Sequence, residues 1–125
     1  MLKISRIDHI NIEVNDLKKS IMFYKNLFGF EIRKTQPEEN SVIIGNDKVK
    51  LCLYETDGFR KYQKKGYHHF GLHVENFDDI ISKCTEMGIK IFYGGPLNWE
   101  KSTSIYIQDP DGYEIELSKV FGRGI

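Results

Sequence analysis

His9, His69, Cys52 and Glu116 are the residues of this chain whose types and spacing point to chemistry, because they occupy matched places in its two halves. Asp8-His-Ile-Asn-Ile-Glu-Val14 is echoed by His69-Phe-Gly-Leu-His-Val74, with His69 lying 60 residues after His9 and apolar residues at the same alternate positions. Near the end of each half, Asp47-Lys-Val-Lys-Leu-Cys-Leu53 lies over Asp111-Gly-Tyr-Glu-Ile-Glu-Leu117 at an offset of 64, which pairs Cys52 with Glu116. Side chains alternate across a strand, so Tyr113, Ile115 and Leu117 share an apolar face while Glu114 and Glu116 share the other. Taken singly, each histidine reads as a surface residue. The matched placement favours a ligand set instead. If the sheets of the two halves curl around a shared cavity, His9, His69 and Glu116 supply two imidazoles and one carboxylate to a common point. That set suits one divalent ion (Zn, Ni, Mn, Fe or Co) and leaves positions open for water or substrate.

Neighbouring residues are placed by the same alternation. His68 has the opposite parity from His69 and is expected to face away. Asn11 and His73 share the parity of the first-strand and second-module histidines. Lys50 and Tyr54 share that of Cys52, and Ser104 and Tyr106 line an opposite wall. Asn11, Lys50, Cys52, Tyr54, His73, Ser104 and Tyr106 are therefore the expected substrate contacts. Cys52 and Cys84 have no CxxC spacing and read as reduced, buried small residues. Trp99 and Lys101 fall in a loop that could cap the cavity.

The elements that must position these residues follow from pattern and punctuation. Ile4 to Val14 reads as a strand, and Asn15-Asp16 as the cap of a helix carrying Leu17, Ile21, Tyr24, Leu27 and Phe28 up to Gly29. Phe30–Ile32, Ser41–Ile44 and Val49–Leu53 read as strands separated by turns over Thr35–Asn40 and Gly45–Asp47. A polar, basic connector with Arg60, Lys61, Lys64 and Lys65 comes next, able to hold a substrate carboxylate or phosphate or simply to be solvated. The second unit repeats the order. Asn76 or Asp78 caps a helix with Phe77, Ile80, Ile81, Cys84 and Met87 that Gly88 ends, and Ile89–Phe92, Ser104–Ile107 and Tyr113–Leu117 are its later strands. Asp109-Pro-Asp-Gly112 is a turn in which Pro110 presets φ and Gly112 accepts a positive one. The expected fold is α+β, two tandem βαβββ modules forming curled sheets around a shared cavity. Module one spans about residues 4–55, the linker 56–66 and module two about 67–119.

Composition narrows the functions. With 18 basic and 18 acidic residues the formal charge is zero, which favours neither nucleic acid nor an anionic membrane as a partner. No apolar run is long enough to span a bilayer and no signal-peptide pattern opens the sequence, so a cytoplasmic protein is expected.

Asp-His-Ile-Asn-Ile-Glu-Val-Asn-Asp-Leu with Phe-Tyr-Lys-Asn-Leu-Phe-Gly-Phe, the mid-chain His-Phe-Gly-Leu-His-Val and the closing Asp-Pro-Asp-Gly-Tyr-Glu-Ile-Glu-Leu together resemble the vicinal oxygen chelate superfamily. It includes glyoxalase I, bleomycin-resistance proteins, extradiol dioxygenases, methylmalonyl-CoA epimerase and fosfomycin thiol transferases. The resemblance covers nearly the whole chain and implies a glyoxalase/bleomycin resistance/dioxygenase-like fold, metal ligands at His9, His69 and Glu116, and a homodimer acting on a small molecule. It implies a lactoylglutathione-lyase-like reaction in the broad sense, with Glu116 as catalytic residue. Two other readings stay open: a fosfomycin-type thiol transferase or extradiol dioxygenase, and a bleomycin-resistance-like binding protein without catalysis. The glyoxalase and epimerase branches usually carry a fourth ligand, Glu or Gln, where this sequence has Cys52. The transferases carry a longer basic extension after the last strand than Phe121-Gly-Arg-Gly-Ile125 offers.

Overall fold

The computed structural model describes residues 1–59 and 61–125; Arg60, part of the expected basic connector, lies outside the described residues. Two compact units, Met1–Arg60 and Lys61–Ile125, are each built on one four-stranded sheet. In the first, β1 (Ile10–Val14) leads through α1 (Leu17–Phe28) to β2 (Glu31–Gln36), β3 (Ser41–Gly45) and β4 (Lys50–Glu55). In the second, β5 (Phe70–His73) leads through α2 (Ile80–Met87) to β6 (Leu97–Asn98), β7 (Thr103–Gln108) and β8 (Glu114–Ser118). Strand orders are β1-β4-β3-β2 and β5-β8-β7-β6. Each module thus sets its first strand parallel to its last, with the helix inside the crossover that parallel pairing requires. This is the α+β pair of βαβββ modules read from the repeat.

Register carries the repeat down to single residues. Asn11 stands opposite Cys52 in the first sheet, and Gly71 opposite Glu116 in the second. The two pairs are related by the offsets of 60 and 64 seen in the sequence. In the first unit Ile12, Val14, Val42, Ile44, Leu51 and Leu53 form one buried face, and α1 packs over β3 and β4. Tyr24 is fully buried and stacks on Phe30 with ring centroids 6.2 Å apart. α1 begins where the Asp16 carboxylate accepts the Lys19 N–H at 3.2 Å and ends at Gly29, whose φ of 69° suits glycine. Asp16→Ala should cost about 1 kcal/mol by leaving that N–H without its cap. Urea unfolding measures it, and an unchanged midpoint would show that the cap contributes nothing.

Several expected elements differ, among them β2, which runs on to Gln36 where a strand ending at Ile32 was expected. The first strand covers Ile10–Val14 rather than starting at Ile4, because its parallel partner β4 starts at Lys50 and pairs Leu51 with Ile10. Ile89–Phe92 is not a strand: Tyr93, Gly94 and Gly95 all take positive φ and Pro96 has no N–H to donate. The Phe92 N–H still donates to the Tyr106 carbonyl at 2.9 Å, and the two-residue β6 follows. α2 starts later than either expected cap, after a 3-10 turn over Phe77–Asp79. Residues 61–66 are not a detached connector either. Tyr62 donates its N–H to the Asp111 carbonyl at 2.8 Å and stacks on Tyr113, with ring centroids 4.6 Å apart. The turn they rest on is built as expected, with Asp109 Oδ1 accepting the N–H groups of Asp111 and Tyr113 at 2.9 Å each.

Candidate functional site

β8 organises the chemistry of the second unit. Glu114 and Glu116 project from one face, beside Ser104, Tyr106 and Gln108 of β7 and Gly71 of β5. Both faces of β8 are covered, and the carboxylates are only 2% and 4% exposed. At that burial an ionised carboxylate needs partners. Around Glu116, Ser104 Oγ donates to Oε2 at 2.6 Å, His69 Nε2 lies 2.9 Å from Oε1, and Arg123 grips both oxygens, Nε to Oε2 at 2.8 Å and Nη2 to Oε1 at 2.7 Å. Burial pushes the carboxyl upward. The hydrogen bonds from Arg123, Ser104, His69 and Tyr106 outweigh it and hold the group at about 2, down from 4.5. Tyr106 moves the other way, pushed up to about 12 by burial and then by its bond to Glu116, so its hydroxyl stays protonated.

Glu114 forms a second cluster two residues away. Its Oε1 accepts from Lys64 Nζ at 2.8 Å and from the Tyr93 hydroxyl. Burial raises this carboxyl too, and Lys64 and Tyr93 more than reverse the effect, leaving it below its ordinary value. Its Oε2 lies 3.4 Å from His69 Nδ1 and 3.8 Å from His68 Nδ1. His69 therefore stands between two carboxylates, one at each ring nitrogen. His68 Nδ1 and His69 Nδ1 are 2.7 Å apart, so one ring donates and the other accepts. Ligand atoms of His68, His69 and Glu114 all lie within 4.8 Å of one another, the group of this kind found among the described residues.

His68 thus does not face away. Strand alternation holds only inside a strand, and β5 starts at Phe70, after both histidines. Lys64, Tyr93 and Arg123 complete the site and were not read from the sequence as parts of it. Lys64 came with a signal, its basic run. Tyr93 and Arg123 came with none, since both sit in irregular segments with positive φ, 60° and 57°.

Ser104 and Tyr106 stand on the Glu116 side of β7, and Trp99 Nε1 donates to Ser104 Oγ at 3.0 Å. His73 is exposed and meets the Phe121 ring edge to face, with centroids 6.0 Å apart. In the first unit, Cys52 is buried with its Sγ 3.7 Å from Gln36 Oε1 and stands in register with Asn11. The Tyr54 hydroxyl reaches Glu39 Oε2 at 3.4 Å, and its bond to Cys52 is the main reason its pKa is raised. Lys50 Nζ donates to the Asn46 carbonyl. His9, just ahead of β1, holds Asp8 Oδ2 at 2.6 Å through Nδ1. Among the described residues, no helix is long and apolar enough to cross a membrane.

Paired βαβββ modules, each closing its first strand on its last, with an imidazole and a carboxylate meeting on the final strand, define a glyoxalase-type architecture. Residues 6–117 match the Glyoxalase/Bleomycin resistance protein/Dioxygenase superfamily, and the chain belongs to this family, the vicinal oxygen chelate superfamily. Virulence protein STM3117 of Salmonella typhimurium is 31% identical over 123 residues, covering 93% of this chain and 85% of the relative. Its crystal structure superposes with a TM-score of 0.71 over 94% of this chain and 98% of that one, at 26% identity. Lactoylglutathione lyase of the same organism is 29% identical, covering 96% and 98% of the two chains. Metallothiol transferase FosB of Staphylococcus epidermidis is 30% identical, covering 93% and 82%.

Proposed function

We propose that this protein is a divalent-metal-dependent, glyoxalase-like enzyme that chelates neighbouring oxygens of a small metabolite, acting in the cytoplasm as a homodimer. The observation that carries the reading is the pair formed by His69 Nε2 and Glu116 Oε1, 2.9 Å apart around a carboxylate that stays ionised. Imidazole and carboxylate are the donors that Zn, Ni, Mn, Fe and Co accept, and the buried Glu116 carboxylate beside His69 Nε2 fits such an ion. His69 and Glu116 would hold it, with His9 of the first unit as the proposed second imidazole. Asp8 favours that role for His9. A carboxylate on Nδ1 keeps the proton there and leaves the lone pair on Nε2, as ligating histidines require.

A bound divalent ion supplies Lewis-acid stabilisation of negative charge developing on a substrate oxygen. The chain's own groups do the rest. Ser104 fixes the inner oxygen of Glu116, Tyr106 stays protonated and can donate to a substrate oxygen, and Lys64 with Tyr93 hold Glu114 beside His69. Glu116 is the proposed catalytic base. Within the grip of Arg123 its proton affinity is too low for that near neutral pH, so a proton-transfer step requires the guanidinium to move off.

A thiol-transferase reading is the alternative, favoured by Cys52 at the place the repeat matches to Glu116 and by the similarity to FosB. Metal analysis after dialysis tests the common ground: about one ion per chain is expected in the wild type, with loss in His69→Ala and His9→Ala. Unchanged metal content in both variants would remove these histidines as ligands and the reading built on them, and a wild type that takes up no ion would favour a metal-free binding protein. Turnover of a hemithioacetal, of fosfomycin with thiol, or of a catechol then separates the branches.

A further inference from the structure

The turn that follows β8 carries the one strong cation on Glu116. Over Phe121–Gly124 the chain makes a 3-10 turn in which Gly122, Arg123 and Gly124 all have positive φ, a costly conformation for Arg123. Its side chain is anchored on three sides. The guanidinium forks onto both oxygens of Glu116 at 2.7 and 2.8 Å, Nη2 donates to the Tyr106 hydroxyl at 3.0 Å, and the guanidinium carbon lies 4.3 Å from the Trp99 ring centroid. A forked guanidinium matches a carboxylate at both oxygens and brings a full positive charge. A cation that ligates Glu116 needs one of those oxygens and is repelled by the same charge.

We infer that Arg123 is an internal counter-ion that competes with a divalent ion for Glu116, so that metal binding swings the guanidinium off the carboxylate and away from Trp99. This rests on the metal reading and deepens it. Arg123 is a positioning residue: it acts through Glu116 and sets how tightly the site holds its ion. Those contacts leave it a way out, because its side chain is 37% exposed and has solvent to move into, while Glu116 at 5% does not. Leaving the carboxylate also frees Arg123 to relax its backbone.

Trp99 is the single tryptophan of the chain and reports on the guanidinium directly. Isothermal calorimetry and Trp99 fluorescence are followed during titration with Zn²⁺ and with Mn²⁺, using wild type, Arg123→Gln, Arg123→Lys and Lys101→Gln. The last removes a charge beside the same turn, where Lys101 packs against Gly124. Arg123→Gln is expected to bind the ion about tenfold or more tightly than wild type, the scale of losing a charge-assisted bond. Arg123→Lys, which keeps charge but not the fork, falls between them, and Lys101→Gln matches wild type. Wild-type Trp99 emission changes in step with ion binding, and that change is lost in Arg123→Gln. Equal or weaker binding by Arg123→Gln overturns the inference while leaving the metal reading intact, as does a Lys101→Gln effect of the same size. If neither wild type nor Arg123→Gln takes up an ion, the metal reading falls and the inference with it.

Discussion

Glu116→Ala should destabilise the protein by about 3 kcal/mol, because it strands donors that the folded chain has gathered round one carboxylate. The Ser104 hydroxyl is fully buried and loses its acceptor, keeping only its contact with Trp99 Nε1. His69 loses the partner at Nε2, and Arg123 loses both prongs of its ion pair. Arg123 recovers part of its hydration because it is about a third exposed, which keeps the expected cost from being larger. The double variant Glu116→Ala/Arg123→Ala separates the terms. Urea midpoints should show it less destabilised than the two single losses added together, by about 2 kcal/mol. Strict additivity would mean that the forked pair adds nothing to the folded state.

Much of this architecture was legible because it is periodic. The repeat aligned Cys52 with Glu116 and His9 with His69, and strand registers reproduce it, Asn11 opposite Cys52 and Gly71 opposite Glu116. Ser104 and Tyr106, expected on an opposite wall as substrate contacts, stand on the strand next to Glu116 and on its side. What the pattern could not convey lies outside the strands. His68 was assigned a direction by extending an alternation past the point where β5 begins. Tyr93 and Arg123 reach the two carboxylates from turns with left-handed backbone, where neither period two nor period 3.6 applies. Lys64 was visible as charge, but its target depends on the packing of Tyr62 on Tyr113, a contact with no sequence signature. The carboxylate pair itself was read as one acidic face of a half-buried strand. Its burial became evident only with Lys64, Tyr93 and Arg123 in place, because those donors are what make burial affordable.

The same neutralisation fixes how the fold responds to acid. Glu116 has a folded value of about 2 against an ordinary 4.5, so between those limits the unfolded chain binds a proton that the folded one refuses. Stability from this group is therefore fully present above 4.5 and declines as pH falls toward 2, on the order of 3 kcal/mol in all and about 2 kcal/mol by pH 3. Glu114, also held below its ordinary value, adds a loss of the same sign. Other carboxylates titrate in that window as well, so the informative quantity is a difference between proteins. Chemical unfolding at pH 6 and pH 3 should show a marked drop for wild type and a smaller one for Glu116→Gln, which is less stable at pH 6 but has no proton to gain at that position. Arg123→Gln should also flatten the dependence, since it removes the largest of the bonds that hold the carboxyl down. Identical pH slopes in all three proteins would show that Glu116 keeps an ordinary carboxyl in the folded state, and would take with them the fork on which the competition between Arg123 and a divalent ion depends.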